Sequence, residues 1–153
     1  MERLEKILLD WQAFGALSEK LANDLKSRYE KTIDVVIGIA KGGLPISVYL
    51  ANSLGAQWDS IRIKSYTADG IRGKLELLYD LHTDIKDKTV MLVDDIVDEG
   101  KTMEFAIRYL NERYHPKKII TTSLILKPHS EFRPDNYTQE ISEWIVFPWE
   151  TPK

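Results

Sequence analysis

Residues 90–102 place an apolar run, Val90-Met91-Leu92-Val93, before two adjacent acids, Asp94-Asp95, and a polar turn, Asp98-Glu99-Gly100-Lys101-Thr102. Each part has chemistry open to it. Neighbouring carboxylates at the end of a strand can accept hydrogen bonds from a sugar diol or hold a water-bound Mg²⁺, because both need hard oxygen acceptors. Past Gly100 a helix begins, and its first backbone N–H groups, from Glu99 to Thr102, have no partner within the helix. Together with the positive end of the helix dipole they favour a phosphate. Thr102 adds a hydroxyl donor. Elsewhere Lys41-Gly42-Gly43 follows another apolar run, Lys127 stands before Pro128, and Trp144, Phe147 and Trp149 cluster near the end of the sequence. Taken singly, such residues are turn, surface and core residues. His82, His115 and His129 lack metal-ligand spacing and read as ordinary surface or loop side chains.

The elements that must position these groups can be read from hydrophobic period. Ile7-Leu8-Leu9 suits a short strand, and Phe14, Leu17, Leu21 and Leu25 recur at helical spacing. Ile33 to Ile39 is a nearly continuous β-branched run, as in a parallel strand buried on both faces. Leu44 to Leu54 is helix-compatible and stopped by Gly55. Ile61 to Tyr66 alternates as a strand, whereas Thr67 to Lys74 carries Asp, Gly, Arg and Lys without an apolar face and reads as a mobile loop. Val90 to Val93 is a strand expected to stop at Asp94-Asp95. A helix over 102–113 is expected to bury Phe105, Ala106, Tyr109 and Leu110, and Ile119 to Leu126 forms a further strand. The tail, interrupted by Pro128, Pro134 and Pro148, reads as a cap over one end. Alternating strands and helices predict an α/β fold, a mostly parallel twisted sheet flanked by helices, with ligands bound beyond the carboxyl ends of the strands.

The totals narrow the classes. The 153 residues suit one domain, and a hydrophobic share of 43% is too high for a disordered chain. A net charge of -3 gives no basic surface for nucleic acid or an anionic membrane. No cysteine is present, which excludes thiolate metal sites and suits a reducing compartment such as the cytoplasm. The acid-bearing start, Met1 to Lys6, resembles neither a signal peptide nor a membrane anchor. Rival motifs fail on position. A Walker A loop needs glycine where Asp95 stands, a prenyl-diphosphate box lies on a helix rather than after a strand, and Gly38 to Gly43 lacks the spaced glycines of a dinucleotide-binding turn.

The run from Val90 to Thr102 resembles the PRPP-binding motif of type I phosphoribosyltransferases: a hydrophobic strand, two acids, two apolar residues and a glycine-containing phosphate loop. PRPP is 5-phosphoribosyl 1-pyrophosphate. Ile39-Ala40-Lys41-Gly42-Gly43-Leu44, Ser65-Tyr66, Leu126-Lys127-Pro128 and Trp144 to Trp149 are similar to the matching parts of the xanthine-guanine branch. The resemblance implies the family's fold over residues 1–153, with a small purine-binding hood built mainly from 127–153. It implies that Asp94 and Asp95 contact the ribose hydroxyls, with Mg²⁺ as cofactor, held by them through water. Asp98, Glu99, Gly100, Lys101 and Thr102 would wrap the 5′-phosphate, and Asp98 would also serve as general acid/base at purine N7. Lys41 and Gly42 would cradle pyrophosphate. Lys127 would donate to the purine O6, Trp144 would stack on the ring and Ile145 would present main-chain groups to it. A closing loop would carry Ser65, Tyr66, Arg72 and Lys74. The expected partners are PRPP, a 6-oxopurine base and a nucleoside monophosphate, with homodimers or higher homo-oligomers formed through Phe132, Tyr137 or Trp149. Glu99 departs from the small hydroxyl residue usual at its place in the family, and its charge would repel a phosphate unless it points away. The reading from another class is a non-catalytic sensor of PRPP or nucleotide on the same fold.

Overall fold

A computed structural model describes residues 5–150, apart from the side chain of Arg72. A short strand β1 (Lys6–Leu8) leads into helix α1 (Trp11–Tyr29), capped by the Asp10 side chain, which accepts from the Ala13 amide at 2.7 Å. Strand β2 (Val35–Ala40) is buried along its whole length, as a β-branched run at the centre of a parallel sheet should be. Helix α2 (Leu44–Leu54) follows at once and ends at Gly55 in the left-handed region, φ 64°. Next come β3 (Gln57–Ala68), β4 (Ile71–Tyr79) and β5 (Thr89–Val97), then helix α3 (Lys101–Tyr114) and strand β6 (Lys118–Leu126). The tail holds only the short strands β7 (Gln139–Glu140) and β8 (Trp144–Val146).

The main sheet has the order β4-β3-β2-β5-β6-β7, parallel except for β4. Alternation along the central strands divides their side chains between two cores. Val36, Met91 and Val93 face α1 and α2, together with Leu21, Leu25, Ile46 and Leu50. Val35, Ile37, Ile39, Val90 and Leu92 face the other way, toward Met103, Ala106 and Leu110 of α3. Helices on both faces leave the carboxyl ends of β2, β5 and β6 as the edge where loops gather, which is the α/β architecture expected from the sequence.

Three expectations are corrected. Residues 67–74 do not form an irregular loop: β3 continues to Ala68, turns at Asp69-Gly70 and returns as β4, with Tyr66 opposite Lys74 and Ala68 opposite Ile71. Asp69 and Gly70 have φ 52° and 74°, as a tight hairpin turn of the Asp-Gly type requires. Secondly, β5 does not stop at Asp94-Asp95. It stays in register with β6 as far as Val97 opposite Leu126, so the acids lie within a strand. Thirdly, on α3 Met103 is buried, while Phe105 and Tyr109 are half-buried and stack on each other. The cap also takes a strand from the start of the chain, since β1 pairs in parallel with β8, Ile7 opposite Ile145.

Leu92 lies at the centre of β5 with no exposed surface. Leu92→Ala should therefore cost about 2–5 kcal/mol in urea unfolding; a loss under about 1 kcal/mol would show that the α3 face is not the tight core described.

Candidate active site at the carboxyl edge of the sheet

The acids of β5 separate because successive side chains on a strand point to opposite faces. Asp94 lines a cavity of about 270 Å³ bounded by Asp98, Glu99, Gly100, Lys101 and Thr102, with Ser65 of β3 and Gly73 and Leu75 of β4 as its far wall. Asp95 lines a neighbouring cavity of about 610 Å³ with Lys41, Gly42, Lys127, Trp144, Ile145 and Glu150. Asp98 lines both. The first cavity ends on the α3 N-terminus. Gly100 caps that helix with φ 91°, and no side chain donates or accepts at the cap, so the opening amides of α3 face outward. A Cβ on Gly100 would lie 2.2 Å from Phe132 Cβ, so the turn is tied to the tail by packing as well as by backbone conformation.

The second cavity is framed by backbone and ring surfaces. The Ala40–Lys41 peptide bond is cis, and Gly42 abuts Asp95 so closely that a Cβ there would lie 2.3 Å from the Oδ2. Lys127 is 7% exposed, and its Nζ donates to the main-chain oxygens of Glu143 and, at 3.4 Å, Ser142. An ammonium has three hydrogens, so one remains for the cavity. Trp144 is 58% exposed on the cavity wall, whereas the Ile145 side chain is buried in the core behind it. Trp149 stacks on Phe147 with centroids 4.9 Å apart and meets Phe14 edge-on.

Most of the residues singled out from sequence thus converge on one edge. Tyr66 and Lys74 line neither cavity; they face each other across the hairpin, and of Ser65, Tyr66 and Lys74 only Ser65 reaches the first cavity. The role expected of the Arg72 side chain lies outside the described residues. Phe132, Tyr137 and Trp149 are occupied within the chain: Phe132 packs over Gly100, the Tyr137 hydroxyl accepts from Arg133 at 2.8 Å, and Trp149 sits in the aromatic cluster. Glu99 pairs with Lys101 at 3.1 Å and is largely solvent-exposed, so its carboxylate is partly neutralised at the loop. Sequence reasoning did not find Gly73 and Leu75, which required the hairpin, nor Glu150, nor His129. The His129 Nε2 lies 2.6 Å from Asp98 Oδ1.

Residues 5–153 match the model of the phosphoribosyl transferase domain family. The chain belongs to that family. It is 35% identical to a purine phosphoribosyltransferase from Pyrococcus horikoshii of known structure, superposing with a TM-score of 0.88 over 97% of this chain and 96% of the other. It is also 35% identical over 124 residues to the xanthine-guanine phosphoribosyltransferase of Ruegeria, covering 75% of this chain and 67% of that one. With the hypoxanthine-guanine phosphoribosyltransferase of Mus musculus it shares 30% identity over 161 residues, 95% of this chain and 73% of that one. As a family member the chain is an enzyme with the type I phosphoribosyltransferase fold.

The electrostatics of the family's acid pair follow from its setting. Burial first, and then the charge of Asp95, pushes the Asp94 carboxyl well above the ordinary carboxylate range. Burial also raises Asp95, with the Glu150 charge adding to it, against hydrogen bonds with Asp94 and the Ile96 amide. A raised folded-state pKa means that the folded chain holds a proton the unfolded chain has released. Stability therefore falls as pH rises from about 3.9, the unfolded value, through the raised folded value. Asn keeps the side-chain oxygen that accepts from the Asp95 amide at 2.9 Å. Asp94→Asn should melt higher than the parent at pH 8, by ~2–4 °C for each kcal/mol recovered, with the gain shrinking toward pH 4. A lower melting temperature at pH 8 would contradict the charge assignment.

Proposed function

We propose that this enzyme transfers the 5-phosphoribosyl group from PRPP to a 6-oxopurine, releasing pyrophosphate and leaving a nucleoside 5′-monophosphate. The observation that carries this reading is the position of Asp98 between two cavities of different chemistry. One ends on a helix N-terminus suited to a phosphate, and the other offers an exposed tryptophan face and a buried lysine suited to a flat base with a carbonyl. A ribose held along Asp94 and Asp95 joins them. The amides of Gly100, Lys101 and Thr102 grip the 5′-phosphate, while Lys41 and the Gly42 backbone hold pyrophosphate as negative charge grows on it. Preorganised donors of this kind are worth about 3 kcal/mol each in the barrier. Trp144 stacks on the purine, main-chain groups of Ile145 meet its edge, and the free hydrogen of Lys127 is donated to O6. Asp98 takes the proton at N7 as N9 bonds to the ribose. The β3–β4 hairpin, through Ser65 and with Tyr66, Arg72 and Lys74 along it, covers the reacting centre and excludes water.

Mg²⁺ fits this site. No cluster of three or more metal-binding side chains exists among the described residues, but Mg²⁺ is commonly bound by one or two carboxylates plus substrate phosphates and waters. Asp94 and Asp95 are a pair whose charge is unfavourable until a cation answers it. Bound there with PRPP, Mg²⁺ would neutralise the leaving group. Adenine is excluded by Lys127, whose donor would meet an amino group in place of an acceptor. Guanine and xanthine rank above hypoxanthine through the family branch. Purine-facing groups such as Lys127 and Trp144 have no use in a sensor of PRPP alone, which favours catalysis over that reading.

No helix among the described residues is long and apolar enough to cross a membrane, and the acidic balance offers nucleic acid no basic face. Absence of cysteine supports a cytoplasmic setting. We further infer that residues 1–153 work as one phosphoribosyltransferase domain and that it self-associates. Besides Phe132, Tyr137 and Trp149, a second apolar surface is available for this. Val48 and Tyr49 of α2 lie beside Trp58 of β3, whose Nε1 donates to Ser47 at 2.9 Å, and all three are 40–43% exposed.

With Mg²⁺ and PRPP, the purified protein should consume guanine, xanthine or hypoxanthine with release of pyrophosphate and leave adenine untouched. PRPP binding without turnover of any of the three would favour the sensor. Asp98→Asn should lower kcat by roughly 10²–10⁴-fold while binding the product nucleotide as before; unchanged kinetics would remove Asp98 from the chemistry.

A further inference from the structure

We propose that His129 is a positioning residue for Asp98, fixing one carboxylate oxygen so that the other is presented to the purine; this rests on the reading of Asp98 as the acid/base. The pairing is built by the fold. Strands β5 and β6 run parallel to Val97 opposite Leu126, and the Lys127 amide donates to the Val97 oxygen at 2.9 Å. One residue beyond this rung on β5 stands Asp98, and two beyond on β6 stands His129. The turn that carries His129 is held rigidly. The amide of Ser130 donates to the Lys127 oxygen at 3.0 Å, its hydroxyl donates to the Phe132 oxygen at 2.6 Å, and Pro128 restricts the backbone between. From this one short turn Lys127 faces the larger cavity, while His129 reaches Asp98 from a separate cleft that it lines with Glu99, Lys101, Glu104 and Glu131.

A carboxylate only accepts, so at 2.6 Å from Asp98 Oδ1 the His129 Nε2 carries the hydrogen and Nδ1 is left free. The pair is 62% exposed on both sides. Ion pairs in that setting contribute little to folding, so its effect is felt in the direction of the carboxylate rather than in stability. Deprotonating N7 needs a carboxylate oxygen aimed within the plane of the base, and a free Asp98 on an exposed turn would sample other rotamers. The other charged groups facing His129 are Glu99 and Lys101 of the phosphate loop, Glu104 of α3 and Glu131 of its own turn, and a substitution at His129 leaves them all in place.

The test is kinetic, with guanine and Mg²⁺ and with PRPP varied up to saturation, on the full chain. His129→Ala should lower kcat by about 10-fold, the scale on which partners that orient a reacting group are felt. The KM for PRPP and, within about 2 °C, the melting temperature should stay as they were. His129→Gln, whose amide N–H can replace the imidazole donor, should recover most of kcat. In an Asp98→Asn background His129→Ala should cause no further loss, because both changes remove one interaction. Wild-type turnover by His129→Ala, a glutamine variant as slow as the alanine one, or additive losses in the double variant would each overturn the role of His129. Wild-type turnover by Asp98→Asn would instead overturn the acid/base reading beneath it.

Discussion

Two acids carried into the carboxyl end of a buried strand set the terms for the rest of this molecule. Asp94 and Asp95 are pushed toward protonation by burial and by neighbouring negative charge, so the folded chain holds them at a cost in stability. That cost is tolerated because β5 lies at the middle of the sheet, hydrogen-bonded on one side to β2 and on the other to β6. A strand so fixed holds each acid in place on the wall of its own cavity. Sites built to bind a charged ligand commonly trade folding stability for a preorganised grip.

The surrounding backbone is shaped to that pair. Gly42 lets the loop after β2 press directly on Asp95, and Gly100 lets the loop after β5 turn sharply enough to aim the α3 amides at the Asp94 side. The two cavities are thus not independent pockets. They are the two faces of one strand, separated by the alternation of its side chains and joined at Asp98. A ligand with a phosphate at one end and a base at the other matches this arrangement in order and in polarity.

The cavity lined by Lys127 and Trp144 depends on the tail, which has little regular structure and is secured by separate devices. Lys127 ties β6 to the residues before β8, β1 adds a parallel strand to β8, and Trp149 is clamped between Phe14 and Phe147. Trp144 is left as the exposed member of this assembly. The tail also joins the core of the sheet, since Ile145 and Phe147 are buried with Val36, Met91 and Val93.

What the sequence by itself determined was local. The β-branched runs, the glycine turns after them and the acids at 94, 95 and 98 were legible because strand, turn and helix start each leave their mark within a few consecutive residues. The α2 limits were read in this way, as was the family. Tertiary structure alone decided which groups meet. The β3–β4 hairpin escaped notice because its second strand lacks an uninterrupted apolar run, although Asp69-Gly70 carried the turn signal. The continuation of β5 through its acids, the split of Asp94 from Asp95, and the contact between Asp98 and His129 all follow from register against β6, a relation between residues about thirty positions apart. Such pairings are chosen by which faces must be buried together across the whole sheet, and no window of neighbouring residues contains that information.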